Sequence, residues 1–152
     1  MLVANPPFAV EGFLLNLSDK QKENYDLIKS TELNSNTNNI QCFFIERAKH
    51  LMAGNGVVGV IVPSSILSNS DKTHIATRVI ILKYFEIISL VELGSGTFGK
   101  TGTNTVVLFL RRKDKKPEPA EHYQNRVDDY FSGNAEQDQG EYQDDYLIQK
   151  YC

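Results

Sequence analysis

Asn5, Pro6, Pro7 and Phe8 stand together near the start of the chain, and their types and order could do chemistry. The side-chain carbonyl of Asn5 is a fixed hydrogen-bond acceptor, and the prolines have no N–H to donate, so a main-chain carbonyl is left as a second acceptor. The ring of Phe8 adds a stacking face. These groups suit a planar base that carries an exocyclic amine and has been lifted out of a duplex. The same four residues could also simply end a strand and turn the chain, so the neighbouring elements must decide.

The elements around this Asn5–Phe8 loop are predicted from apolar spacing. The apolar run 2–4 predicts a strand that ends at the loop. After a polar stretch from 12 to 39, apolar residues recur at three- and four-residue intervals and predict a helix over 40–52. The run 57–62 is continuously apolar and β-branched, which is typical of a strand covered on both faces of a parallel sheet.

A second helix and two further strands follow. Polar residues at 68–71 offer helix N-caps, and the spacing of the next apolar residues predicts a buried helical stripe. We expect a strand over 87–93, a glycine- and threonine-rich connection over 94–104 and a last strand from 105 to 110. The connection is too short for a crossover helix, so the last pair is predicted to be antiparallel. The chain is therefore predicted to be an α/β protein with a mostly parallel sheet and a final antiparallel strand. The predicted helical stripe consists of Ile75, Val79, Leu82 and Phe85.

Composition narrows the class of protein. The 152 residues have ordinary apolar and charged fractions, and no apolar run is long enough to span a bilayer. No secretory signal is visible, so we expect a cytoplasmic location. The net charge of −3 hides an asymmetry: residues 1–112 carry +2, whereas residues 113–152 carry −5. We therefore expect a folded region over 1–112 and a polar, acidic tail or linker over 113–152, with no basic stripe for autonomous DNA binding.

Metal chemistry has little support in the sequence. The three histidines, His50, His74 and His122, are scattered over different predicted elements without clustered carboxylates. Cys42 and Cys152 have neither the number nor the spacing of a zinc site or a disulfide framework. We therefore predict no metal site, and we interpret Cys42 as a packing residue.

Three stretches resemble a known family. They are the Asn5–Phe8 loop, the segment from Phe44 through Glu46 to Ser65, and the segment 98–110 with Thr101, Gly102 and Thr103. Their sequence and order over about residues 2–112 resemble the adenine-N6 DNA methyltransferases of type I restriction systems and of fused restriction–methylation enzymes. The resemblance implies the second half of a Rossmann-like, S-adenosylmethionine-dependent methyltransferase sheet, which begins at the catalytic loop.

The resemblance also implies roles for the loop residues. Asn5 and the Pro6 carbonyl would accept the two protons of the adenine amine, Pro7 would fix the turn, and Phe8 would stack on the extruded ring. DNA is the implied substrate, S-adenosylmethionine the implied methyl donor, and specificity and restriction subunits or fused domains the implied partners.

The methyl donor's site is not evident. Of two glycine patterns, 54–59 opens a strand and so fails as a nucleotide loop. The other contains Gly94 and Gly96 after a strand, but strand-forming threonines and valines follow where a helix is needed. Both glycines are therefore disfavoured as cofactor ligands. We expect a piece of a longer enzyme, inactive alone, that binds S-adenosylmethionine weakly or not at all.

The sequence also predicts self-association and leaves alternative functions open. Removal of upstream strands would leave the 2–4 strand as an unpaired edge, so we expect self-association through it. The same loop occurs in methyltransferases that act on the glutamine amide of proteins or on guanine in RNA. A catalytically silent binding or assembly module is the alternative from another class.

Overall fold

The computed structural model of the chain describes residues 1–8, 10–31, 33, 39–94, 97 and 103–114. All of them belong to one compact unit, Met1–Pro117. Of the predicted tail, 113–152, only Lys113 and Asp114 are among the described residues. Of the predicted segment 98–110, residues 98–102, with Thr101 and Gly102, also lie outside them.

The described part of the chain contains a four-stranded sheet with the strand order β1-β2-β4-β3. β1 pairs in parallel with β2, and β4 pairs antiparallel with both β2 and β3. β1, β2 and β3 therefore run in one direction, and only the last strand opposes them. This arrangement confirms the predicted α/β fold with a mostly parallel sheet and a final antiparallel strand. The strands are β1 (Leu2–Ala4), β2 (Val57–Pro63), β3 (Phe85–Gly94) and β4 (Thr105–Arg112).

Helical segments lie in the connections from β1 to β2 and from β2 to β3. The two long helices, α3 and α5, were predicted from apolar spacing, whereas the short segments between β1 and α3 were not. One short segment carries a recognisable start signal, because Ser18 and Gln21 form a reciprocal capping box. The segments are a 3-10 helix (Phe13–Asn16), α1 (Asp19–Lys22), α2 (Asp26–Ser30), α3 (Ile40–Leu51), α4 (Ser65–Ser68) and α5 (Lys72–Tyr84).

The hydrophobic core lies between one face of the sheet and the helices. Val58, Val60 and Val62 of β2 are buried, and α3 and α5 contribute Ile45 and Ile81 to the same cluster. The intervening residues of β2 are only half-buried. The prediction that this strand is covered on both faces is therefore wrong for the described part of the chain, since side chains alternate between the two faces and only one face is packed.

The opposite face of the sheet is apolar and accessible. Val3, Gly59 and Phe109 are aligned across β1, β2 and β4 on this face, followed by Ile61 and Val107 one step along. Val3 is 75% exposed and Phe109 is 38% exposed. We call these five residues the open sheet face.

The helical stripe predicted for α5 faces outward. Ile75, Val79 and Leu82 are 46%, 39% and 39% exposed, and only Phe85 is buried, as the first residue of β3. The prediction that these three helical residues are buried is therefore wrong. The inward face carries Thr73, His74, Thr77, Ile80 and Ile81.

The polar residues of the inward face can be buried because they are partly satisfied within the helix. The Thr77 hydroxyl donates to the Thr73 carbonyl at 2.7 Å, and His74 is paired with Asp71. Asp71 also caps the helix by accepting bonds from the backbone N–H groups of Thr73 and His74 at 3.0 and 3.1 Å. Local hydrogen bonding thus lowers the cost of burying polar groups that a hydrophobicity pattern assigns to the surface.

Candidate functional site

The Asn5–Phe8 loop directly follows β1 at the edge of the sheet where the parallel strands end. Ala4, the last residue of β1, is aligned with Val60 of β2. Ligands of open α/β sheets bind in the crevice outside the carboxyl ends of the strands, so the loop occupies the expected location for a site.

The four loop residues differ in their exposure. Pro6 is buried and Phe8 is half-buried, whereas Asn5 and Pro7 are exposed. No cis peptide bond occurs in the ranges that the structure describes. Pro6 therefore anchors the loop to the body of the protein, while the amide of Asn5 remains accessible to a ligand. This division of roles fits a loop that presents hydrogen-bond acceptors from a rigid support.

A polar cavity of about 310 Å³ opens at the same edge of the sheet. Ser64 follows β2 directly, and its backbone N–H donates to the Asn104 carbonyl at 2.9 Å, which ties the end of β2 to the start of β4. The Thr105 hydroxyl is enclosed in this region and has no hydrogen-bond partner among the residues that the structure describes. The lining residues of the cavity are Ser64, Glu92, Gly94, Asn104, Thr105 and Val106.

Gly94, one of the two disfavoured cofactor glycines, lines this cavity. Gly94 ends β3 with a positive φ of 75°, and it is aligned with Thr105 of the antiparallel strand β4. Gly96 lies outside the described residues. A dinucleotide-type loop needs a strand that turns into a helix, whose N-terminal N–H groups then face the ligand. The described residues on either side of this connection belong instead to two antiparallel strands, so they do not fit an S-adenosylmethionine cradle.

A charged network that the sequence analysis missed holds the segment after the loop against α3. The fully buried Glu46 carboxylate accepts bonds from the backbone N–H groups of Asp26 and Leu27, at 2.6 and 3.1 Å, at the start of α2. Lys49 donates to Glu46 at 3.1 Å and to Asp26 at 2.7 Å. The sequence signal that could have revealed this network is the presence of a Glu and a Lys three residues apart on a predicted helix.

The pKa shifts within this network follow from its geometry. The hydrogen bond from Lys49 lowers the pKa of Asp26 below its ordinary value. Burial opposes the charge of Lys49, but the hydrogen bonds to Asp26 and Glu46 outweigh that effect and raise the pKa of Lys49. Both groups are therefore charged at neutral pH, and the network is an ion pair that fastens α2 to α3.

A second cavity, of about 310 Å³, lies against α3 and is mainly aromatic. Phe43 meets Phe13 and Tyr25 edge to face, with ring centroids 5.0 and 5.5 Å apart. The cavity therefore connects the 3-10 helix after the loop to the packed face of α3. Its lining residues are Phe13, Asn16, Leu17, Tyr25, Ile40, Phe43, Phe44 and Arg47.

The described ranges contain neither a cluster of metal ligands nor a helix that could span a membrane. No group of three or more His, Cys, Asp or Glu side chains there could hold a metal ion. His50 lies beside the Tyr25 ring and His74 pairs with Asp71, while His122 is outside those ranges. None of the helices in the same part of the chain is long and apolar enough to cross a membrane.

Comparison with known families shows to which family the chain belongs. A family model described as N-6 DNA Methylase matches residues 1–142, which include the Asn5–Phe8 loop and all four strands. The chain belongs to the N-6 DNA methylase family. The resemblance inferred from the loop and from the order of the elements is thereby confirmed.

Solved structures share the fold of this chain. A class I S-adenosylmethionine-dependent methyltransferase from Listeria monocytogenes has a TM-score of 0.56 and 19% identity, over 77% of this chain and 33% of that protein. A modification subunit of a type I restriction enzyme from Vibrio vulnificus has a TM-score of 0.52 and 19% identity, over 86% and 30%. The type ISP restriction-modification enzyme LlaBIII, solved bound to DNA, has a TM-score of 0.53 and 20% identity, over 77% and 9%.

These similarities establish the fold as that of S-adenosylmethionine-dependent methyltransferases. The 152-residue chain spans a third or less of the length of each of these three proteins.

Proposed function

We propose that the chain supplies the acceptor half of a DNA adenine-N6 methyltransferase site, as part of a restriction-modification enzyme. The observation that carries the proposal is the position of the Asn5–Phe8 loop: it follows a parallel strand, with Pro6 buried beneath it and the Asn5 amide accessible. Membership of the N-6 DNA methylase family supports this assignment.

In the proposed site, Asn5 and the Pro6 carbonyl accept the two hydrogen bonds of the adenine amine. An adenine amine is a poor nucleophile because its lone pair is delocalised into the ring. Accepting a hydrogen bond from each of its two N–H groups favours the pyramidal nitrogen, whose lone pair is localised, and Phe8 holds the extruded ring by stacking. The residues thus act by alignment, and no general base with a shifted pKa is required.

The methyl donor of the proposed reaction is S-adenosylmethionine, which supplies an electrophilic methyl group when bound. Since the described residues around Gly94 do not fit a cradle for it, we assign its binding to parts of the enzyme outside this chain. The 152-residue chain alone is then inactive and binds S-adenosylmethionine weakly or not at all. Calorimetry tests this directly, and micromolar binding would restore Gly94 and Gly96 as cofactor residues.

Amine recognition can be tested on the 152-residue chain without the methyl donor. We propose titrations followed by NMR, with adenosine and with purine riboside, which lacks the amine. The wild type is expected to bind adenosine more tightly, and Asn5→Ala is expected to show a smaller preference, because only the Pro6 carbonyl then accepts a bond from the amine. Asn24→Ala is the matched control, because Asn24 is exposed and its amide donates to the nearby Lys20 carbonyl at 3.0 Å. Equal binding of the two nucleosides by the wild type would contradict the proposed acceptor site.

The substrate and the partners in this proposal are DNA, specificity subunits and restriction subunits or fused domains, in the cytoplasm. The fold shared with a type I modification subunit and with a restriction-modification enzyme solved on DNA supports this assignment.

We further propose that the isolated chain associates with itself through β1 and the open sheet face. β1 is an edge strand of the described sheet, so its outer N–H and C=O groups can pair with another strand, and Val3 within it is exposed. Val3→Lys places a charge at this edge and is expected to yield monomers in sedimentation, whereas Leu15→Lys, at another exposed apolar residue, is not. A wild type that stays monomeric at high concentration would refute self-association.

A further inference from the structure

The outward face of α5 carries an apolar stripe that the proposed site does not use. Ile75, Val79 and Leu82 lie at positions i, i+4 and i+7, so they form one line along the helix, and all three are exposed. We call these residues the α5 stripe. An exposed line of aliphatic side chains with this spacing is the pattern by which an amphipathic helix meets a partner helix.

The charges around the α5 stripe have one sign. Within Lys72–Tyr84 the charged residues are Lys72, Arg78 and Lys83, and the segment contains no Asp or Glu. Beyond its last turn, Lys113 reaches back to the Leu82 carbonyl at 2.7 Å and adds another cation.

Two carboxylates flank α5 in sequence, and both face local cations or donors. Asp71 accepts bonds from the first turn of α5 and pairs with His74, and Glu86 lies 3.3 Å from Arg111. The described surface along the stripe is therefore apolar in the middle and basic at its margins.

We infer that the α5 stripe is a docking surface for an acidic amphipathic helix of a partner protein. The apolar side chains of such a helix cover the stripe, and its flanking carboxylates face Arg78 and Lys83. This surface lies on the outer side of the helices, whereas the Asn5–Phe8 loop lies at the end of the strands, so docking leaves the proposed acceptor site unchanged.

Charge argues against a second copy of the chain as the occupant. Two α5 helices packed along their stripes bring Arg78 and Lys83 of one copy close to the same residues of the other, and the segment offers no carboxylate to offset them. Like charges across an interface disfavour that pairing, while carboxylates on a different helix favour the pairing proposed.

Two designed helical peptides test the inference on the full 152-residue chain. Both carry the same stripe of leucines, but one is flanked by glutamates and the other by lysines, and fluorescence anisotropy of the labelled peptides gives the dissociation constants. The glutamate peptide is expected to bind at least about tenfold more tightly than the lysine peptide.

Two variants and a control test whether the glutamate peptide binds at the α5 stripe. Val79→Glu is expected to weaken binding of the glutamate peptide by about tenfold or more, because it places a charge at the centre of the apolar contact. Lys83→Glu is expected to reduce the preference for the glutamate peptide. Leu15→Glu is the matched control, since Leu15 is an exposed apolar residue on the 3-10 helix, and it is expected to leave both constants unchanged.

Equal affinity for the two peptides, or equal effects of Val79→Glu and Leu15→Glu, would overturn the inference. It would also be overturned by a wild-type dimer that Val79→Glu dissociates in sedimentation, since the occupant would then be a second copy. Binding to labelled duplex DNA or to phosphatidylserine vesicles that Val79→Glu abolishes, without binding of either peptide, would assign the surface to those ligands instead. Circular dichroism of each variant checks that the fold is retained.

Discussion

Replacing Glu46 by glutamine tests how strongly the buried network holds α2 against α3. In the wild type, the carboxylate accepts two backbone N–H bonds from α2 and one bond from the Lys49 ammonium. Glutamine retains one acceptor oxygen, but its NH2 group faces donors in place of the other oxygen. With the glutamine oxygen in the position that accepts from Asp26 and Lys49, the bond from Leu27 is lost and leaves a buried N–H unsatisfied, at a cost of about 1.5 to 3 kcal/mol. The two remaining bonds lose the charge of their acceptor, so the variant should be destabilised by about 3 kcal/mol in total.

The assay is urea unfolding followed by circular dichroism, at a protein concentration low enough to avoid association. Glu86→Gln is the matched control, because Glu86 also pairs with a cation but at the surface, with both side chains about half exposed. Its cost should stay below about 0.5 kcal/mol. A Glu46→Gln variant that unfolds at the wild-type midpoint, with an unchanged slope, would refute the anchoring role of the carboxylate.

Two other predictions concern the α3 and α5 helices. Asp71→Ala should destabilise the protein by about 1 kcal/mol at pH 7, because the N-cap bonds to Thr73 and His74 are lost. Although burial opposes the charged form, the hydrogen bonds from His74 and Thr73 lower the pKa of Asp71; this stabilisation is therefore present above the unfolded value of about 3.9 and is lost as pH falls through the folded pKa. Thermal unfolding of both proteins at several pH values tests this, and a difference that persists at the lowest pH would contradict it. Burial raises the pKa of the Cys42 thiol to about 11, so in a Cys152→Ser background Cys42 should resist iodoacetamide at pH 8 until urea is added. Rapid labelling of the folded protein, read by mass spectrometry, would show that the thiol is accessible.

The strands could be predicted from the sequence because each is a short apolar run with clear ends. The insertion of β4 between β2 and β3 could not be predicted from these runs, since the spacing of elements along the chain does not fix which strands pair. The short helices before α3 were missed for a different reason. The 3-10 helix and α2 each bury a single residue, Leu14 and Leu27, α1 buries none, and α2 is also held by the distant Glu46, so no periodic pattern marks them.

The outward orientation of α5 shows where hydrophobicity patterns fail. Its aliphatic residues predicted a buried stripe, yet Thr73, His74 and Thr77 face the core instead. The Asp71 cap and the threonine hydroxyl bond satisfy part of their polar groups locally, and this compensation does not appear in a count of apolar residues.

The candidate site was predictable only where it is continuous in sequence. The Asn5–Phe8 loop is four consecutive residues, so its chemistry could be inferred before any fold was known. The neighbouring cavity joins Ser64, Glu92 and Asn104, which come from three separate segments. These residues come together only through the pairing of β4 with β2 and β3, so the sequence alone does not bring them together.

The central claim is that the Asn5–Phe8 loop holds the amine of an adenine for methylation. The most direct measurement is transfer of a radiolabelled methyl group from S-adenosylmethionine to an adenine-containing duplex, by the assembled enzyme that contains this chain. Asn5→Ala should lower the rate by at least about a hundredfold, as expected for removal of a preorganised hydrogen-bonding group, while Asn24→Ala retains the wild-type rate. An Asn5→Ala enzyme that methylates the duplex at the wild-type rate would contradict the account.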